Sequence, residues 1–137
     1  MDNLDLKLDG YEKSIIGIEN YDQYWCNVRL EFKNKNFNYI EESDILQKTE
    51  VKKIYEMLTK CLSNQLHEDT VLYFDEPDLE FILFKNKEDN EYRVEFRIFP
   101  CIKDVGYTED HYSIMLYNKE INLLRDYLYE LVKGYYD

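Results

Sequence analysis

Two histidines, three cysteines and 29 carboxylates are the residues of this 137-residue sequence with chemistry to offer. His67 stands in Leu66-His67-Glu68-Asp69, and His111 follows Glu109-Asp110. An imidazole beside two acids can hold a metal or work as an acid–base pair. It can equally be a solvated chain turn, and a cation near a helix C-terminus suits the helix dipole. The bland reading accounts for both histidines. Cys26, Cys61 and Cys101 lie far apart, with no CxxC and no zinc spacing. Ser–His or Cys–His catalysis needs partners that folding brings together, and no spacing here points to one. The four glycines form no phosphate-cradling loop. With so many acids, a carboxylate pair is no sign of a glycosidase-like site. The expectation is a non-enzyme with no catalytic residue, no metal and no cofactor.

The distribution of the acids carries more information. From Cys61 to Phe84 there are six (Glu68, Asp69, Asp75, Glu76, Asp78, Glu80) and no Lys or Arg. From Asn36 to Gln47, Glu41, Glu42 and Asp44 are again unopposed. Solvated loops explain such runs. So does a docking surface for a basic protein, where charge speeds encounter and fixes register. Trp25, the single tryptophan, ends Tyr21-Asp22-Gln23-Tyr24-Trp25. Alternation puts it with Asn27 and Arg29, away from the core. There it either covers a sheet edge beneath a loop or anchors a partner, since Trp and Tyr are enriched at binding hot spots.

The net charge of −12 disfavours nucleic-acid backbones and anionic membrane surfaces, both of which call for a Lys/Arg face. Solubility alone accounts for it, and a basic partner is the sharper reading. Aromatics at 16% exclude a disordered acidic tail. The length suits one domain over 1–137, and a chain this size buries roughly two-thirds of its unfolded surface. The N-terminus lacks a basic region followed by an apolar stretch, so no signal peptide is expected. No apolar run reaches membrane-spanning length. Three cysteines without a pairing pattern suggest a reducing, cytoplasmic setting, with the thiols as small hydrophobes.

The positioning elements follow from periodicity. Leu4, Leu6 and Leu8 alternate with Asp5 and Lys7, a half-buried strand closed by Gly10. Ser14 to Ile18 is a short apolar run. In Trp25 to Lys33, Cys26, Val28, Leu30 and Phe32 fall on one side, and Phe37 to Ile40 extends the hairpin past an Asn-rich turn. Thr49 to Leu66 takes helical spacing through Val51, Ile54, Leu58, Cys61 and Leu62, with Thr49 as N-cap and Ser43 as a competing start. Val71 to Phe74 is a strand that breaks at Pro77. Leu79, Phe81 and Leu83, then Tyr92, Val94, Phe96 and Ile98, alternate with polar or outward residues around a turn at 86–90. His111 to Tyr117 is the last strand. A helix from Asn118 to about Lys133 follows, with Ile121, Leu124, Leu128, Leu131 and Tyr135 as its stripe and Gly134 as its stop. No internal repeat stands out. The fold expected is α+β, a mostly antiparallel sheet with two helices packed on one face. Total absence of alanine weighs against a helical bundle.

Taken together these segments resemble the WapI-type immunity proteins of bacterial polymorphic-toxin systems. The most specific piece is Val71-Leu72-Tyr73-Phe74-Asp75-Glu76-Pro77-Asp78-Leu79-Glu80-Phe81, similar to that family's apolar strand, Glu-Pro, then alternating Leu and Phe. Asp22 to Leu30 looks like its Trp-led strand, Leu46 to Leu62 like the following helix, and His111 to Leu131 like the closing strand and helix. The first helix departs from the pattern at Tyr55-Glu56-Met57-Leu58, where a Trp-Leu pair is expected. The resemblance implies a cytoplasmic antitoxin that binds and neutralises a cognate toxin domain. Many such toxins are nucleases with basic surfaces. The residues expected at the contact are Asp22, Tyr24, Trp25, Glu41, Glu42, Asp44, Asp75, Glu76 and Asp78. Two rivals stand beside this reading: a small hydrolase using carboxylate or His chemistry, and an acidic nucleic-acid mimic.

Overall fold

Alternating side chains need a buried face, and strand pairing supplies it twice in this chain. The computed structural model describes residues 3–21, 23–36, 38–66, 68–76, 79–85, 92–99, 101–102, 106–107 and 111–135. Asp22, Phe37, His67, Pro77, Asp78, the turn at 86–90, Glu109 and Asp110, all named above, lie outside the described residues, as do the side chains of Tyr92, Cys101 and Tyr135.

The first sheet contains β1 (Leu4–Asp5), β2 (Lys13–Glu19), β3 (Trp25–Lys33) and β4 (Asn38–Gln47), in that order and antiparallel throughout. Helix α1 (Lys48–Leu62) follows. The second sheet contains β5 (Thr70–Tyr73), β6 (Leu79–Lys85), β7 (Tyr92–Ile98) and, after a small hairpin of β8 (Cys101–Ile102) and β9 (Gly106–Tyr107), β10 (Tyr112–Leu116). Its strands also pair antiparallel, in the order β10-β7-β6-β5. Helix α2 (Asn118–Val132) closes the chain and runs into a 3-10 turn, Lys133–Tyr135. The class is therefore α+β with antiparallel pairing, as the alternation implies, and the strands divide between two sheets. The chain forms two compact units, Met1–Lys52 with Tyr127–Asp137, and Lys53–Asp126.

In the first unit the buried side of β3 carries Cys26, Val28, Leu30 and Phe32, each at most 1% exposed. Ile16 and Ile18 of β2 lie across from Leu30 and Val28. The Ile18 N–H donates to Tyr127 Oη at 3.0 Å, so the end of α2 is tied to β2 within this unit. β1 is shorter than the alternation suggests, ending at Asp5, yet Leu6 and Leu8 beyond it are still buried. Gly10 turns the chain with φ +85°, and the Tyr11 N–H donates to the Leu8 carbonyl. That left-handed backbone is open to glycine without steric cost.

In the second unit Phe81 lies opposite Phe96 with ring centroids 4.7 Å apart, and Phe74 meets Phe81 edge-on. Leu79, Leu83, Val94, Ile98, Ile114 and Leu116 complete that buried face. Burying one such side chain stabilises by roughly 1.5–3 kcal/mol.

The helix ends differ from the sequence expectation in instructive ways. α1 begins at Lys48, so Thr49 sits in the first turn and Gln47 caps it. Glu50 Oε1 accepts the Gln47 N–H at 2.9 Å, half of a capping box. Ser43, the competing start, lies in β4. At the other end α1 stops at Leu62 rather than Leu66. Asn64 takes φ 59°, the Gln65 N–H donates to the Lys60 carbonyl and the Asn64 N–H to Cys61. This is a Schellman motif, closed by an asparagine where glycine is the usual choice.

Candidate partner-binding surface

Strand register decides which of the proposed contact residues share a face. On the outward side of the first sheet, residues line up in rows across β2, β3 and β4. Lys13, Lys33 and Asn38 form one row, and Ile15, Glu31 and Ile40 the next. Gly17, Arg29 and Glu42 follow, then Glu19, Asn27 and Asp44. The register then shifts by one residue between Cys26 and Asn27, so that Trp25 faces Gln47. The bulge leaves Ile45 as the unmatched residue of β4 and buries it.

This face grades from bases at one end to acids and aromatics at the other. Asn27 Nδ2 donates to Asp44 Oδ1 at 3.1 Å, holding that carboxylate in place. Tyr24 is 64% exposed and meets Trp25 edge-to-face at 6.0 Å. The Lys48 N–H donates to the Tyr24 carbonyl at 3.1 Å, so the first turn of α1 fixes the backbone under the aromatic pair. Trp25 is half-buried and turned away from Cys26 and Val28, as its alternation requires. Trp25, Glu42 and Asp44 thus share the outward side of the sheet, with Tyr24 in ring contact with Trp25.

Glu41 is not with them. It pairs with Leu30, so its side chain lies on the opposite face of the sheet from Glu42. There it accepts from the Tyr39 hydroxyl and, at 3.1 Å, from Ser43 Oγ. Asp75 and Glu76 follow β5 in the other compact unit, Asp75 exposed and Glu76 half-buried. Asp22 and Asp78 lie outside the described residues.

Two carboxylates that sequence reasoning passed over, Glu31 and Glu95, are buried and ion-paired. Glu31 is 8% exposed on the outward face of the first sheet. Lys13 Nζ approaches one oxygen to 2.9 Å and Arg29 Nη2 the other to 3.2 Å. The hydrogen bond from Lys13 holds the Glu31 carboxyl below its ordinary range, outweighing the opposing effect of desolvation. Glu95, 9% exposed, plays a similar part on the second sheet. Arg97 grips it with two nitrogens, Nε at 2.7 Å and Nη2 at 3.2 Å, and reaches Glu80 with Nη1 at 3.2 Å. Ser113 Oγ donates to it at 2.7 Å. Glu95 too is held below the usual carboxylate range, chiefly by Arg97. The available signal was the alternation of Glu and Arg two residues apart on one strand face, together with the cross-strand partner that alternation cannot name.

The second network brings Ser113, Glu95 and His111 near one another, a combination worth weighing as a hydrolytic site. His111 Nε2 lies 4.0 Å from Glu95 Oε1. Ser113 donates to the carboxylate itself, and no hydrogen bond joins it to His111 among the described residues. A nucleophile needs a base on its hydroxyl, with the acid orienting that base. Here the acid is already engaged by a guanidinium, which is the arrangement of a structural ion pair. Among the described residues no group of three His, Cys, Asp or Glu is placed to hold a metal ion. No helix among them is long and apolar enough to cross a membrane.

Comparison with protein families matches residues 1–135 to the immunity protein WapI-like family. The chain belongs to that family. The match spans both sheets and both helices, in agreement with the resemblance carried by the Trp25 strand and the segment from Val71 to Phe81. No curated protein matches the chain. Membership makes this an immunity protein by family, which suggests a role other than catalysis.

Proposed function

We propose that this chain is a cytoplasmic antitoxin that binds a cognate, basic toxin domain and blocks it stoichiometrically. Family membership over residues 1–135 is the observation that carries the reading, because an immunity protein implies a toxin partner. The surface that supports it is the outward side of the first sheet, where the exposed Tyr24 rests on the half-buried Trp25 and β4 presents Glu42 and the Asn27-held Asp44. Aromatics of this kind fill pockets, and flanking acids steer a basic partner and set its register. Cys26 and Cys61, both buried as small hydrophobes, support a reducing compartment.

The rival readings find less to stand on. A nucleic-acid mimic needs rows of acids, whereas Lys13, Lys33 and Arg29 interrupt the outward face of the first sheet. The candidate hydrolytic cluster is engaged in ion pairing.

The test begins with the gene immediately upstream. If it encodes a large secreted protein, its C-terminal domain is produced in bacteria with and without this chain. Rescue of growth, with a one-to-one complex on size-exclusion chromatography, is the expected result. Growth arrest that this chain leaves untouched, with no complex formed, would overturn the proposal.

A further inference from the structure

The chain order itself repeats. A four-strand antiparallel meander followed by a 15-residue helix occurs twice: β1 to β4 then α1, and β5, β6, β7 and β10 then α2. The third strand of each meander carries the same five-residue pattern, Arg29-Leu30-Glu31-Phe32-Lys33 and Arg93-Val94-Glu95-Phe96-Arg97. Phe32 and Phe96 are the two bulkiest fully buried side chains among the described residues. Glu31 and Glu95 are both buried on the outward face and ion-paired. Each has an isoleucine opposite it on the second strand, Ile15 or Ile82, and an apolar residue on the fourth, Ile40 or Met115. The helices align without gaps, Glu50-Val51 with Glu120-Ile121, and Leu58 with Leu128. The sequence alone hid this, because the matching residues are few and their spacing changes. Phe32 and Glu50 are 18 positions apart and Phe96 and Glu120 are 24, so the second copy has six extra residues in the stretch holding β8 and β9.

What the copies share must serve the fold, since both need a buried face and a covered sheet. What only one copy carries is free to serve a partner. The acids Glu42 and Asp44 have no counterpart on β10, which contains none. The residues four and five before Arg93 are Asp89 and Glu88, where the first copy has Trp25 and Tyr24 before Arg29.

We infer that the protein is one strand-meander-and-helix unit used twice, with the Arg-x-Glu-Phe-base strand as a fold-holding element common to both copies, and that a basic toxin surface docks on what the first copy alone carries, the Tyr24–Trp25 corner with Glu42 and Asp44. The second half of this inference rests on the antitoxin reading. The first half does not.

Matched substitutions test the first half. Glu31→Gln and Glu95→Gln, and likewise Phe32→Leu and Phe96→Leu, are expected to lower Tm in equal pairs, by about 3–8 °C each. A pair in which one member is silent and the other severe would overturn the repeat. Stopped-flow association with the toxin domain tests the second half. Glu42→Gln with Asp44→Asn is expected to slow association several-fold at low salt, whereas Asp75→Asn with Glu76→Gln leaves it unchanged. The reverse result overturns the placement of the docking face. A wild-type chain that binds no toxin overturns the antitoxin reading and the docking half together, while paired Tm losses would still establish the repeat.

Discussion

Lys13 Nζ on β2 lies 2.9 Å from Glu31 Oε1 on β3, across the outward face of the first sheet. The ammonium is half exposed while the carboxylate beneath it is nearly covered. Removing the lysine therefore leaves a desolvated charge that, of the two cations, Arg29 alone still holds, and removing the glutamate leaves two cations that water can reach. Lys13→Met is expected to cost about 1 kcal/mol at neutral pH, the exposure of the ammonium keeping it below the ~1.5–3 kcal/mol of hydrogen bonds to charged groups. Urea unfolding measures it.

Acid should weaken the fold through the same group and through Glu95. Both carboxyls titrate lower in the folded chain than in the unfolded one. The unfolded state thus takes up protons first as pH falls, and the stability these groups supply is complete above about pH 4.3 and drains away as pH drops through their lowered folded values. The expected measurement is a Tm deficit of Glu31→Gln and Glu95→Gln that is full at pH 7 and shrinks toward pH 3.

Glu41 and Glu42 are adjacent in sequence and opposite in placement, so their variants should separate. Glu42→Gln is expected to slow toxin association as high salt does, because its charge belongs to the steering field and the Debye length falls from about 10 Å at 0.1 M to about 3 Å at 1 M. Glu41→Gln should leave association unchanged and lower stability, through loss of its bonds from Tyr39 and Ser43. Trp25→Ala should raise the dissociation rate, since close contacts govern escape more than encounter. Surface plasmon resonance at two salt concentrations reads all three. An association rate indifferent to salt would remove the electrostatic part of the proposed function.

The Cys61 thiol is buried at the inward side of α1 and pushed up to about 12 by desolvation. The thiolate is the reactive species, so alkylation should be very slow in the folded protein. Treatment with iodoacetamide at pH 8 is expected to leave Cys61 unmodified until urea is added, as peptide mass analysis would show.

Asn64 closes the Schellman motif in a left-handed conformation. Asn64→Gly should be neutral or slightly stabilising, while Asn64→Val should cost roughly 1–2 kcal/mol, because a β-branched side chain crowds the following carbonyl there. Equal urea midpoints for the two variants would show that the cap contributes nothing.

Period-two alternation was enough to place Cys26, Val28, Leu30 and Phe32 on a buried face and Trp25 on the other. Period 3.6 was enough to place Val51, Ile54 and Leu58, and Ile121, Leu124 and Leu128, on buried stripes. Each of these is a local property, set by where successive Cβ atoms point along a strand or helix. The class α+β followed from the same signals. The tertiary structure decided what depends on partners distant in the chain. Pairing divided the strands between two sheets and so exposed the repeated meander. Register, with its shift beside Cys26, separated Glu41 from Glu42 and put Trp25 across from Gln47. Folding carried Lys13 to Glu31, and Glu80 and Ser113 to the network that Arg97 and Glu95 begin on one strand. An acid's own neighbours in sequence say which way it points. Whether it is covered, and by which cation, is fixed by strands that arrive from elsewhere, because a sheet places residues more than ten positions apart within a few ångströms.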